Sequence, residues 1–264
     1  MPTFRPRRSS PSVAERVGAW LDCLASFNPA EARLLKADDL SRVWQATLLD
    51  TPVVIKATIV QGPINRIRSW MGRSRSFRQW EGAQLLSRAG VPTAEPLLLA
   101  SSSPPACEWL VLRAIEGPTV LETLAQRPSA DRLDRLATAL GTQIRSMTHP
   151  TDGSPPIFNR DHKPSNLILD PTGDGTPTIV DTVGVRLLGR ARPDIAAARM
   201  VASLIFEPTG VGHPPSQPFV SRLVGAAAGG DPRRAAALAR LTSALVRAHG
   251  DPTPKVNPLN KPPR

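Results

Sequence analysis

The sequence predicts an α+β fold: a small antiparallel sheet in the first half and a mostly helical body in the second. Three observations predict it. Short apolar runs bounded by turn residues cluster before position 116, helical periodicity dominates after it, and Glu116-Gly117-Pro118 interrupts the pattern between them. The 264 residues are 41% hydrophobic, enough for one domain of two lobes. Aromatic residues make up 4% of the chain and Tyr is absent, so the core is expected to rest on Leu, Val, Ile and Ala.

Residues 1–11, rich in Pro, Arg and Ser, are expected to be disordered. Val13, Val17, Trp20, Leu21 and Leu24 recur at helical spacing, so residues 13–27 read as an amphipathic helix that braces the next domain. Residues 42–48 and 53–59 read as strands, with Asp50, Thr51 and Pro52 as the turn. Residues 74–89 read as a helix closed by Gly90, and 97–100 and 109–113 as two further strands. After the break come helices over 119–125 and 130–147, short strands over 167–169 and 178–180, and helices over 195–206 and 233–248. Pro/Gly-rich connections join them, and residues 251–264 form a Pro-rich basic tail expected to be mobile. The implied organisation is an extension with one helix (1–30), a sheet lobe (31–116), a helical lobe (117–249) and the tail (250–264).

Lys and Arg total 33 against 22 acids, a net charge of +11, which attracts anionic partners. Part of that excess reflects a composition rich in Arg, Ala and Pro; its clustering is the informative part. Residues 51–80 carry Lys56, Arg66, Arg68, Arg73, Arg75 and Arg78 and no acid, which suits an anionic acceptor or the acidic face of a membrane. A solvated basic face explains the same run. No stacking platform or zinc-finger spacing accompanies the charge, so no nucleic-acid partner is expected. Cys23 and Cys107 have no metal-ligand spacing and read as reduced thiols. No apolar run reaches transmembrane length and no signal-peptide core comes after the basic start, so a cytoplasmic chain is expected.

The chemistry concentrates in Phe158-Asn159-Arg160-Asp161-His162-Lys163-Pro164-Ser165-Asn166. An Arg-Asp pair with Asn five residues after the Asp is the spacing of a phosphotransfer loop: the carboxylate reaches an acceptor hydroxyl while the amide ligates Mg²⁺. Fifteen residues after Asn166, Asp181 ends an apolar strand with Gly184 three further on, the context of a second metal ligand. Upstream, Val53-Val54-Ile55-Lys56 puts an ammonium at the end of an apolar strand, which is costly unless paired. ATP phosphates and Glu81 of the next helix are the expected partners. Taken singly, each residue has an ordinary reading as a strand-edge lysine, a turn residue or a surface carboxylate. Their order and separations together favour the catalytic one.

This arrangement resembles the protein-kinase-like superfamily over roughly residues 34–206, which implies a two-lobed protein-kinase-like fold. The stretch from Arg75-Ser76-Phe77-Arg78-Gln79-Trp80-Glu81 to Ala89-Gly90-Val91-Pro92-Thr93 is similar to bacterial lipopolysaccharide core (Kdo/heptose) kinases. Met147-Thr148-His149 matches the end of the long helix before the catalytic loop. Arg192-Pro193-Asp194 resembles the helix start whose buried Asp braces that loop. The resemblance implies that Lys56 holds the α/β-phosphates of ATP, that Glu81 fixes Lys56 and that Ile168 belongs to the nucleotide-binding set. It further implies that Asp161 serves the acceptor hydroxyl, Lys163 neutralises the γ-phosphate, and Asn166 and Asp181 ligate Mg²⁺. It also implies a sugar-containing or anionic acceptor.

The chain departs from the family pattern in three places. The segment Lys36–Val43 has no glycine, so Ser41 and Arg42 are expected to replace a glycine-rich phosphate clamp. Asn159 stands where a His is usual, which is expected to weaken packing of the loop, and the Phe of Asp-Phe-Gly is missing. Two other readings stay open. Lys163 suits a Ser/Thr protein kinase, against which stands the short segment from Gly184 to Asp194; the missing glycines suit a non-catalytic pseudokinase acting as a binding module.

Overall fold

In a computed structural model the chain is described over residues 3–104, 106–172, 175–189, 192–254 and 257–260. It divides into two compact units, one of Met1–Gln84 and Ala94–Ala114, the other of Leu85–Thr93 and Ile115–Arg264.

The first unit contains β1 (Thr3–Ser9), α1 (Val17–Ala25), β2 (Arg33–Ala37), β3 (Ser41–Leu48), β4 (Thr51–Ile59), α2 (Gly62–Trp70), the start of α3 (Arg75–Arg88), β5 (Pro96–Ser103) and β6 (Cys107–Arg113). Its six strands form one sheet in the order β1-β5-β6-β4-β3-β2, every pair antiparallel. Strand alternation explains the centre of the sheet: Val53, Ile55 and Ala57 of β4 are buried while their neighbours are not. β3 and β4 meet at the two-residue turn Leu49–Asp50, both at positive φ (47° and 62°), the backbone that matches strand twist in a tight hairpin.

The start of the chain corrects the sequence reading. Thr3–Ser9 is not disordered but pairs with β5, and Met1 and Pro2 lie outside the described residues. Phe4 supplies the reason, its ring 5.5 Å from that of Trp109. The Arg and Pro residues beside it suit an edge strand, where charge and a missing N–H discourage further pairing. The core here is more aromatic than composition suggested. Trp44 stacks on Trp109 at 6.3 Å with Phe27 edge-on to both, and α1 adds Trp20 and Leu24 to the same cluster. A smaller cluster places Phe77 and Trp80 of α3 on Leu99, Leu110 and Leu112.

The second unit contains α4 (Val120–Ala125), α5 (Ala130–Thr148), β7 (Ile157–Asn159), β8 (Leu167–Ile168), β9 (Thr178–Ile179), β10 (Val185–Leu187), α6 (Pro193–Gly210), α7 (Gln217–Ala228) and α8 (Pro232–His249). α4 starts at a reciprocal cap between Thr119 and Glu122, and α5 at Ser129. Leu136, Leu140, Ile144 and Met147 give α5 a buried stripe at helical spacing. α7 crosses it at Gly141, where an added Cβ would lie 2.5 Å from the Leu223 carbonyl oxygen. α7 falls in a stretch read from sequence as Pro/Gly-rich connection. Its signals are the Ser216 cap, Pro218 in the first turn and Gly229 in the left-handed conformation at the end.

Gly117 is held firmly. At φ +125°, it lies so close to the Leu169 carbonyl that a Cβ would overlap it, and Leu169 N–H donates to Pro118 at 2.9 Å. The start of the tail packs on α6: the Pro252 carbonyl and the Pro254 ring lie against Gly210, where a side chain would stand. Residues 255, 256 and 261–264 of the expected mobile tail lie outside the described residues.

Candidate active site

In the first unit Lys56 extends from the centre of β4, opposite Val43 of β3 and Leu110 of β6. Its Nζ donates to Gln79 Oε1 of α3 at 3.0 Å, and Gln79 is 3% exposed. Glu81, the partner expected from sequence, is exposed. Two residues turn a helix by about 200°, so the face that brings Gln79 to β4 carries Glu81 away from it. One residue facing Lys56 is thus a neutral amide, whose hydrogen bond orients the ammonium.

At the β2–β3 turn the two residues expected to replace a glycine-rich clamp are placed unequally. Asp38 accepts from Leu40 N–H (3.1 Å), Ser41 N–H (2.7 Å) and Ser41 Oγ (2.8 Å). The Ser41 hydroxyl therefore serves its own turn. That side-chain bond leads the effects that hold the Asp38 carboxyl below its usual range, helped by the two N–H groups and Lys36 and opposed by slight desolvation. Arg42, next along, is exposed.

In the second unit the loop after β7 is built around Asp161. Asn159, fully buried at the end of β7, accepts from Asp161 N–H through Oδ1 at 3.0 Å. The Asn that departs from the family pattern thus holds the loop rather than loosening it. Asn166 Nδ2 donates to the Asp161 carbonyl at 3.0 Å. β10 runs antiparallel to β7, with Val185 opposite Asn159, and Arg160 N–H donates to the Gly184 carbonyl at 3.1 Å. This pairing brings Gly184 against Asp161, where a Cβ would stand 2.6 Å from Oδ2 and 3.0 Å from the backbone nitrogen.

Asp181 reaches the same loop through the β8–β9 pair. Leu167 lies opposite Ile179 and Val180 N–H donates to the Asn166 carbonyl at 3.0 Å, so Asp181 comes one residue beyond the position facing Asn166. The Arg160 guanidinium binds Asp161 at 3.3 and 3.0 Å. Its pKa rises first through that hydrogen bond, then through the charge of Asp161, with a smaller contribution from Asp181. Ile168 is buried in β8, bridging Thr119 on one side and pairing with Thr178 on the other.

Two carboxylates behave differently from the sequence reading. Asp194 is not the buried brace expected at the start of α6. Its side chain is 51% exposed and meets Arg234 Nε (3.1 Å) and His149 Nε2 (3.4 Å). Glu207, farther along α6, braces the loop instead. Its carboxylate, 9% exposed, accepts from Ser165 N–H (2.7 Å) and Ser165 Oγ (2.6 Å) and lies 3.4 Å from Lys163 Nζ. No local signal in the sequence marks Glu207, because its partners lie 42 residues away. His162, next to Asp161, is fully buried, with neither ring nitrogen bonded among the described residues.

Among the described residues no three His, Cys, Asp or Glu side chains gather to hold a metal. The donors beside Asp161 are nevertheless the right kind for Mg²⁺, which takes one or two carboxylates and leaves room for phosphate and water. Because Asn166 commits its Nδ2 to the Asp161 carbonyl, its amide oxygen is the atom left for ligation; the Asp181 carboxylate, which accepts from Val183 N–H at 3.4 Å, is a second oxygen donor. An oxygen pair of this sort fits a hard cation.

The comparisons with known proteins bear on the fold. No family model matches the chain, and no curated protein matches it by sequence. A solved structure described as WaaP in complex with acyl carrier protein superposes with a TM-score of 0.61 at 16% identity, covering 92% of this chain and 98% of that one. The fold is therefore α+β and kinase-like, and it is shared with WaaP. No helix among the described residues is long and apolar enough to cross a membrane.

Proposed function

We propose that the protein is an ATP-dependent phosphotransferase acting on a hydroxyl of a lipopolysaccharide-like glycolipid or another sugar acceptor. The carrying observation is the bracing of Asp161, whose N–H is bound by Asn159, whose carbonyl is bound by Asn166 and whose carboxylate lies against Gly184. Phosphoryl transfer asks little covalent chemistry of a protein and much positioning. In this reading Lys56, oriented by Gln79, holds the α/β-phosphates, with Arg42 reaching the phosphate tail and Ile168 against the nucleotide. Asp161 orients the acceptor hydroxyl and takes its proton as the oxygen bonds to the γ-phosphorus and the bond to ADP breaks. Lys163 offsets charge on the transferred group. Asn166 and Asp181 hold Mg²⁺, which would neutralise developing charge on the phosphates. Two findings support the acceptor class: the resemblance of residues 75–93 to lipopolysaccharide core kinases and the shared fold with WaaP.

Transfer of label from γ-labelled ATP to a panel of glycolipid, sugar and protein acceptors tests the proposal. Asp161→Asn is expected to reduce transfer by about 10²–10⁴-fold. Transfer to protein alone would replace the acceptor assigned here with a Ser/Thr side chain. One observation favours a binding module instead: the Arg160 guanidinium covers the Asp161 carboxylate at 3.0 Å. ATP binding with no transfer to any acceptor, unrelieved by Arg160→Ala, would establish that second reading.

A further inference from the structure

Among the described residues, four large apolar side chains stand exposed on one short element: Ile64 (65%), Ile67 (55%) and Trp70 (79%) of α2, and Met71 (49%) just after it. At about 100° per residue they span an arc of about 120°, with Arg66 flanking one edge and Arg68 the other. Ser69 lies on the opposite side. It is the buried residue of the helix, its Oγ bound to Glu108 and its carbonyl accepting from Arg7 at 3.1 Å. α2 is therefore held by its polar back with its apolar ridge turned outward, the reverse of a helix that packs on a core. No Asp or Glu occurs between Asp50 and Glu81, whereas Arg66, Arg68, Arg73, Arg75 and Arg78 do.

We propose that α2 is an interfacial anchor that lays Ile64, Ile67, Trp70 and Met71 into the surface of an anionic lipid bilayer. Aliphatic side chains enter the boundary between headgroups and acyl chains, an indole prefers that depth, and flanking guanidinium groups extend back to lipid phosphate. Nine residues suit a helix lying in the interface rather than crossing it. The charge of the segment selects the lipid: each basic side chain near the surface strengthens binding to an anionic leaflet and is weakened by salt. The anchor does not depend on phosphotransfer, so the failure of either proposal leaves the other standing.

The test uses the full chain and sedimentation with phosphatidylcholine vesicles, with and without phosphatidylglycerol. Binding is expected to the mixed vesicles, to fall with added salt, and to shield Trp70 from acrylamide. Ile64→Ser/Ile67→Ser/Trp70→Ser is expected to weaken it by about tenfold or more, and Arg66→Gln/Arg68→Gln by about tenfold. All five positions are exposed, so unchanged thermal unfolding separates lost anchoring from misfolding. Absent binding, or binding that the triple variant leaves intact, overturns the proposal. So does a lipid-free dimer by light scattering, or capture of purified acyl carrier protein, if the triple variant abolishes it, because a protein then covers the ridge.

Discussion

Gly184 lies against Asp161 so closely that a Cβ would stand 2.6 Å from its carboxylate oxygen and 3.0 Å from its nitrogen. The position needs glycine for room, since β10 is hydrogen-bonded to β7 and cannot easily retreat. We predict that Gly184→Ala pushes the Asp161 carboxylate aside. Overpacking of this kind costs about 1–3 kcal/mol. A displacement near 1 Å is expected to lower transfer by about a hundredfold. Steady-state transfer rates and urea unfolding measure the two separately; full activity would show that Asp161 needs no such confinement.

Lys56 and Gln79 yield a prediction that separates them from Glu81. A hydrogen bond to a charged group contributes about 1.5–3 kcal/mol. Gln79→Ala should therefore weaken Mg-ATP binding by about tenfold or more through misorientation of Lys56, and Lys56→Ala should remove most of it. Glu81→Gln, changing an exposed side chain, should leave affinity within about twofold. Calorimetric titration with ATP is the measurement, and a larger loss from Glu81→Gln than from Gln79→Ala would reverse the assignment.

The same pair shows what the sequence could and could not convey. Phe77 and Trp80 announce that α3 is a helix with a buried side, but Ser76, Gln79 and Ala83, also buried, fix its rotation. Small and polar residues carry little hydrophobic signal, so the sequence pointed to the charged Glu81 and gave no sign of Gln79. The strand that carries Lys56 and its hairpin partner were legible because short apolar runs there are bounded by turn residues. Asp161 and Asn166 were legible because their spacing lies within one loop. Glu207 was not, because its partners depend on where α6 packs. α2 was hidden by Gly62-Pro63, which reads as a breaker but here places Pro in the first helical turn. β1 was hidden by its Arg and Pro, residues equally at home in a disordered arm and a protected edge strand.

Glu207 is predicted to position the catalytic loop through Ser165. Glu207→Ala leaves the Ser165 N–H and hydroxyl without their acceptor in a nearly buried site, a loss of about 2–3 kcal/mol in urea unfolding. Glu207→Gln keeps one acceptor oxygen and should cost about half as much. A positioning role adds a kinetic signature: kcat falls in both variants while the KM for ATP changes little. Equal activity in all three proteins would reduce Glu207 to a packing residue.

His162 makes the fold sensitive to acid. Burial pushes its pKa down to about 3 from 6.5. Above pH 6.5 the ring is neutral in both folded and unfolded chains and the fold keeps its full stability. As the pH falls below 6.5, the unfolded chain binds a proton that the folded chain refuses, and stability drops until the pH approaches 3. The slope is about 1.4 kcal/mol per pH unit once the unfolded ring is charged, so about 2 kcal/mol disappears between pH 7 and pH 5. His149, whose pKa is lowered by desolvation and then by Arg234, adds in the same direction, so the wild-type slope belongs to both rings. His162→Gln isolates the buried one. It removes the titrating ring while retaining a polar side chain, and its unfolding free energy should change between pH 7 and pH 5 by about 2 kcal/mol less than that of the wild type. Parallel pH dependences in the two proteins would mean that the His162 pocket admits a proton, and with it water, beside Asp161.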